Sequence, residues 1–205
     1  MRALGREEVV TRMRQDVDWS ERLVVEPYFG QVWSAAASLD FHLGNRFRVF
    51  RRRRDVVHDP LDGRTDSFGF PLDSDVATEE FFVPFGDHFV LHPGRLVLGT
   101  TLEWFRFPLD VMAYVIGRSF WGRRGLLIAT ATAVQPGSAG TIVLELSNTS
   151  EIAVALKPGV SIGQLFFHQV DVKADDAPRT SFAGALHPGL GHYIASASEK
   201  FLLGL

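Results

Sequence analysis

The sequence contains no cysteine. That excludes disulfides, thiol nucleophiles and thiolate metal ligands together. No apolar run reaches the roughly 18 residues that a membrane-spanning helix needs, so no membrane partner is expected. Cationic excess is also missing: the formal net charge is -3 and the sequence pI about 6.2. A nucleic acid polymer is therefore not an expected partner, although a local cationic pocket stays open. The first residues, MRALGREEVVTRMRQ, are charged throughout and lack an apolar signal core, so a cytoplasmic location is expected. The histidines His42, His58, His88, His92, His168, His187 and His192 show no metal-ligand spacing, and no metal site is expected.

What is present points to one β-rich domain. The 205 residues suffice for a single substantial core, and 46% hydrophobic with 22% charged residues is ordinary for a globular protein. Seventeen phenylalanines favour strands, and 19 glycines with 10 prolines supply turns. The spacing of Val9, Val10 and Met13 predicts one helix over residues 5–16. A turn and a strand ending near Pro27 follow. The segment ASLDFHLGNRFRVF (37–50) reads as two strands turned at Gly44-Asn45.

From Arg51 to about Phe82 the pattern is irregular and reads as an extended loop with at most a short hairpin. The run Arg51–Arg54 within it reads as a solvated charge cluster. Strand signals then recur: FVLH, RLVLGTTLEWF, MAYVIG, LLIATATAV, TIVLELSN, IAVALKP and GQLFFHQV. Pro93-Gly94, Pro108, Pro136-Gly137 and Pro158-Gly159 punctuate them, as in a barrel or sandwich. The expected division is a barrel domain over 1–172 and a polar, glycine-rich tail over 173–205, serving as a lid or a subunit contact.

One carboxylate stands out from the residues alone. Glu145 interrupts the apolar strand Ile142-Val143-Leu144-Glu145-Leu146. Buried, it would need a partner or a function. Strand alternation could equally turn it to water. Asp40, between Leu39 and Phe41, reads as a structural hydrogen-bonding carboxylate. The turn Gly117-Arg118-Ser119, with Arg123 four residues on, gathers groups that donate to phosphate oxygens. A plain solvated basic turn would look the same.

Six segments in order, ERLVVEP (21–27), SLDFHLGNRFRVF (38–50), FVLHPGRLVLGTTLE (89–103), IGRSFWGRRGL (116–126), GTIVLEL (140–146) and LKPGVSIGQLFF (156–167), resemble the deoxycytidine triphosphate deaminase family. The resemblance covers roughly residues 20–170. It implies a mainly β, dUTPase-like distorted barrel, jelly-roll-like, with a short N-terminal helix. It implies a homotrimer whose sites lie between subunits, and a nucleotide substrate. On this resemblance Glu145 is the catalytic carboxylate and Arg123 orients the reacting water. Arg118, Ser119, Arg123, Thr130, Thr132 and Gln135 form the nucleotide and phosphate set. The implied reaction is hydrolytic deamination of a cytosine deoxynucleotide, with no cofactor at the base and Mg²⁺ accompanying the phosphates. Zinc deaminases instead use a cysteine-containing ligand set, for which this chain has no residues.

The chain departs from the family pattern in places. Phe120 replaces a serine of the G-R-S-S turn, with bulky Trp121 beside it. Gln135 stands where an aspartate is expected, which argues against a diphosphatase, since an amide is a poor base. Ser138 replaces an aromatic residue, and the tail holds only Lys200 beyond residue 180 as a lysine. These changes leave three alternatives: a substrate with fewer phosphates, a modified cytosine nucleotide, or a non-catalytic nucleotide-binding trimer.

Overall fold

The computed structural model of the chain describes residues 1–28, 37–51, 78–130, 133–171 and 186–188. The N-terminus forms a two-residue strand β1 (Arg2–Ala3) and helix α1 (Arg6–Met13). The helix is shorter than the periodicity predicts, because Arg14 adopts an extended conformation and closes it. Val9 is buried and Met13 packs on the core, whereas Val10 faces out. Arg12 ties the helix to the barrel by a two-pronged pair with Asp110, at 2.6 and 3.1 Å.

Strands follow as β2 (Val24–Glu26), β3 (Ser38–His42), β4 (Arg46–Phe50), β5 (Thr78–Phe82), β6 (Phe89–Leu91), β7 (Leu96–Arg106) and β8 (Val111–Gly117). A four-residue helix α2 (Ser119–Gly122) comes next. The chain continues through β9 (Leu126–Ile128), β10 (Ala133–Val134), β11 (Ala139–Asn148), β12 (Val154–Leu156) and β13 (Ser161–Gln169). The expected mainly β architecture with a short N-terminal helix is met. No helix among the described residues is long and apolar enough to cross a membrane.

Two larger antiparallel sheets enclose the core. In one, β13 lies between β8 and the pair β3 and β1, and β10 flanks β8. In the other, the order is β5-β4-β7-β11-β9, with β2 beside the far end of β7. A small third sheet pairs β6 with β12. Phe41, Phe47, Phe105, Phe107 and Phe167 are all fully buried, which explains the many phenylalanines. Phe107 stacks on Phe167 at 6.0 Å and contacts Phe105 at 6.2 Å, bridging the sheets. Each such ring contributes about 1.5–3 kcal/mol by leaving water.

Two sequence expectations change. Residues 78–82 are not loop but strand, with Arg48 opposite Glu80 and Arg51 paired to Glu79. Opposite charges facing each other across the ladder stabilise a segment whose own pattern is weak. The stretch LLIATATAV is not one strand. It leaves the second sheet after β9 and joins the first as β10, against β8. Arg52 to Arg54 lie outside the described residues, as does most of the tail. Of the tail, His187 sits 3.6 Å from Glu80 and 3.4 Å from Arg46.

Asn148, fully buried at the end of β11, fastens the third sheet to the second. Its amide nitrogen donates to the Leu91 and Ile152 carbonyls at 2.9 and 2.8 Å. Its amide oxygen accepts from the Ser150 amide and hydroxyl.

Gly163 lies where β13 passes between β3 and β8. A Cβ there would sit 2.2 Å from the Phe41 ring and 3.0 Å from the Ile116 carbonyl. The ring is fully buried and has nowhere to move. Gly163→Ala is expected to destabilise the fold by about 1–3 kcal/mol, read as a lower melting temperature. An unchanged melting temperature would contradict this packing.

Candidate active site

The site is organised by the ladder between β7 and β11. Pairing runs regularly from Ala139 opposite Arg106 to Thr141 opposite Trp104, then shifts so that Val143 faces Thr100. One residue of β11 thus spans three of β7. The Thr101 hydroxyl secures the irregularity, donating to the Glu103 carbonyl at 2.8 Å and accepting from the Ile142 amide at 2.9 Å. Beyond it, Glu145 lies opposite Leu98 and its side chain faces out. The sequence left both orientations of Glu145 open, and alternation turns it outward in the single chain.

Glu145 lines a cavity of about 450 Å³. Phe50, Leu96, Leu98 and Val143 give the wall a mainly apolar character, with Thr130 and Gln135 among its polar members. The backbone around the carboxylate is fixed on both sides. The Ala129 amide donates to the Glu145 carbonyl at 2.9 Å, and the Glu145 amide donates to the Thr130 hydroxyl at 3.3 Å. Gln135 opens the turn to β11, where Gly137 adopts a left-handed conformation and Ser138 donates back to the Gln135 carbonyl. A carboxylate at the rim of an apolar cavity can exchange protons with a bound water and a substrate.

The structure therefore brings Glu145, Thr130 and Gln135 together. Thr132 lies outside the described residues. Arg118, Ser119 and Arg123 do not line this cavity; they sit on and around α2, at the end of β8. Arg118 points to Asp40, which is buried as expected of a structural carboxylate. Phe120 is half exposed, stacked edge-on against Trp121, with the Arg124 guanidinium 3.7 Å from its ring centre.

Sequence reasoning missed a second carboxylate. Glu103 is fully buried and accepts from the His42 amide at 2.9 Å and from His42 Nδ1 at 2.6 Å. The signal was the same as for Glu145, a Glu inside an apolar strand. The hydrogen bond to Glu103 raises the His42 pKa above its ordinary 6.5, with Asp40 adding to the effect while burial and Arg118 oppose it.

The two sheets define the class first: the fold is a mainly β, distorted barrel of antiparallel strands. It matches the crystal structure of 2′-deoxycytidine 5′-triphosphate deaminase from Agrobacterium tumefaciens with a TM-score of 0.57 at 21% identity. The match covers 82% of this chain but 48% of that one, so the chain spans about half that protein's length. A family model described as dCTP deaminase-like matches residues 4–170. A curated dCTP deaminase from Haemophilus influenzae (strain PittEE) is 40% identical over 165 residues, 80% of this chain and 83% of that protein. Another from strain ATCC 51907 is 41% identical over 132 residues, 64% of this chain and 67% of that protein. The chain belongs to the dCTP deaminase-like family.

The His42–Glu103 pair yields a pH prediction. A histidine whose folded pKa is raised contributes stability that is complete below its unfolded value, near 6.5, and is lost as pH climbs through the raised value. The melting temperature should fall as pH rises from 6 through that window, and Glu103→Gln should flatten the slope. Removing the His42 side chain with Glu103 kept should cost about 1–3 kcal/mol, because the buried carboxylate loses a charge-assisted hydrogen bond. A pH-independent melting temperature would refute the pairing's role.

Proposed function

We propose that the protein deaminates a cytosine deoxynucleotide by hydrolysis, giving the uracil nucleotide and ammonia. The observation that carries this reading is Glu145, set at the rim of a mainly apolar cavity with its backbone locked to Ala129 and Thr130. The names of the curated relatives support the choice of cytosine.

In the proposed reaction Glu145 takes a proton from water as the hydroxide attacks C4 of the base. The tetrahedral intermediate then collapses. The same carboxyl group returns its proton to the departing nitrogen, so water and cytosine become uracil and ammonia. The apolar wall excludes bulk water and strengthens each electrostatic contact made inside. Arg123 orients the attacking water and, with Ser119, meets the phosphates. Mg²⁺ would accompany those phosphates and supply charge neutralisation there.

The separation of Glu145 from α2 supports a homotrimer in which α2 of one subunit completes the cavity of the next. Such an assembly would act in the cytoplasm, where free nucleotides are found.

Two measurements test this. Glu145→Gln should cut ammonia release from dCTP about 100- to 10,000-fold while the melting temperature holds. Equal activity would sink the mechanism, and release of pyrophosphate from dUTP would indicate a diphosphatase. Nucleotide-induced stabilisation without turnover would indicate a binding protein. Co-refolding Glu145→Gln chains with Arg123→Ala chains should restore activity at about a quarter of the sites, as random mixing in a ring predicts. No restoration would mean that each chain holds a whole site.

A further inference from the structure

The family resemblance assigns Arg118 to the phosphates, but the local geometry gives its charge another destination. Arg118 Nη1 donates to the Asp40 carboxylate and, at 2.7 Å, to the Ser161 hydroxyl. That hydroxyl donates in turn to the same Asp40 oxygen at 3.2 Å. The three groups close a triangle. The Asp40 side chain is only 4% exposed, so its carboxylate depends on a cation within the protein. The Arg118 side chain is 35% exposed, with its charge already balanced.

The same short piece of β13 holds α2 at two further points. The Arg118 amide donates to the Ile162 carbonyl at 3.2 Å, and the Trp121 indole nitrogen donates to the Ser161 carbonyl at 3.0 Å. Asp40 and Ser161 come from β3 and β13, which are paired with each other, Gln164 opposite Asp40. The start of α2 is therefore bound to a rigid two-strand platform through side chain and backbone alike.

Arg123 is different. It is exposed and makes no side-chain hydrogen bond or ion pair among the described residues. Its backbone amide is tied to the Ser119 carbonyl at 3.0 Å, so wherever Ser119 is fixed, Arg123 follows. Arg124 is already committed, stacking on Phe120 and donating to its carbonyl at 3.0 Å.

We propose that Arg118 is a positioning residue rather than a phosphate ligand. Asp40, Arg118 and Ser161 form a charge-neutral tether that places Ser119 and Arg123. The proposal rests on the reading above that those two residues meet a nucleotide. Nη1 is committed to Asp40 and Ser161, and drawing the Arg118 guanidinium away onto a phosphate would weaken both of those bonds.

The test uses the full chain with Asp40→Asn, Arg118→Met, their combination, Ser161→Ala, and Arg123→Ala for contrast. The turnover number with dCTP, the calorimetric affinities for dCTP and dCMP, and amide exchange at Trp121 and Arg123 are measured. Asp40→Asn and Arg118→Met should each lower the turnover number by about ten- to a hundredfold, as displaced catalytic groups do. The double variant should fall no further. The ratio of dCTP to dCMP affinity should stay within about twofold of the parent in all of these, and collapse only in Arg123→Ala. Ser161→Ala, which keeps the charge pair, should act in the same direction but less, and covers the case in which the charge variants fail to fold.

A loss of dCTP affinity relative to dCMP in Arg118→Met, with Asp40→Asn unaffected, would overturn the proposal. So would unchanged amide exchange in both single variants, a readout that needs no substrate. If the parent protein deaminates no cytosine nucleotide, the functional reading fails, while exchange still decides whether the tether exists.

Discussion

The ladder between β7 and β11 is the constraint on which the remaining elements depend. β7 also receives β4 on one stretch and β2 on another, and β11 also receives β9. A regular ladder of that length would twist smoothly and give every second residue the same face. The shift secured by Thr101 preserves that alternation, since it sets one residue of β11 against three of β7, so the two carboxylates fall on opposite faces of the paired strands. Glu103 enters the interior and must be balanced there. Glu145 lines the cavity on the other face. The second sheet thus separates a buried acid from one that lines the cavity within a few residues.

The interior charges are handled by local pairing rather than by dilution in water. Glu103 is met by His42, and Asp40 by Arg118 and Ser161. His42 and Asp40 are two residues apart on β3, so one short strand carries a member of each pair. The two pairs also feel one another, since Asp40 and Arg118 act in opposite senses on the His42 proton. The end of β8 and the helix that follows it are therefore anchored through a polar layer as well as through Trp121, which packs on the core. Such a layer demands one geometry where an apolar contact would tolerate several.

The strands were largely legible in the sequence because apolar alternation and Gly-Pro turns mark them directly. Glu145, Asp40 and the Gly117-Arg118-Ser119 turn stood out for the same reason, as polar residues where the local pattern asks for something else. What stayed hidden depends on partners far along the chain. TEEFF became a strand by pairing with β4, about thirty residues earlier, with Arg48 opposite Glu80 and Phe81 packed on the core. Glu103 had the sequence signature of Glu145, and only the face that each strand turns to the core decides which of them is buried. The destination of Arg118 was hidden likewise, because Asp40 and Ser161 flank it by many residues on either side.

The buried Asn148 has a consequence for how the molecule ages. Asparagine side chains lose their amide spontaneously when the next residue's backbone nitrogen swings round to attack the side-chain carbonyl. Here the Thr149 nitrogen is engaged with the Gly125 carbonyl at 2.8 Å, and both ends of the Asn148 amide are held. The cyclisation has neither a free nucleophile nor a mobile target. Conversion to aspartate would place an anion against two carbonyl oxygens and unfasten the third sheet, so this arrangement guards the rivet against the slow chemistry that would undo it.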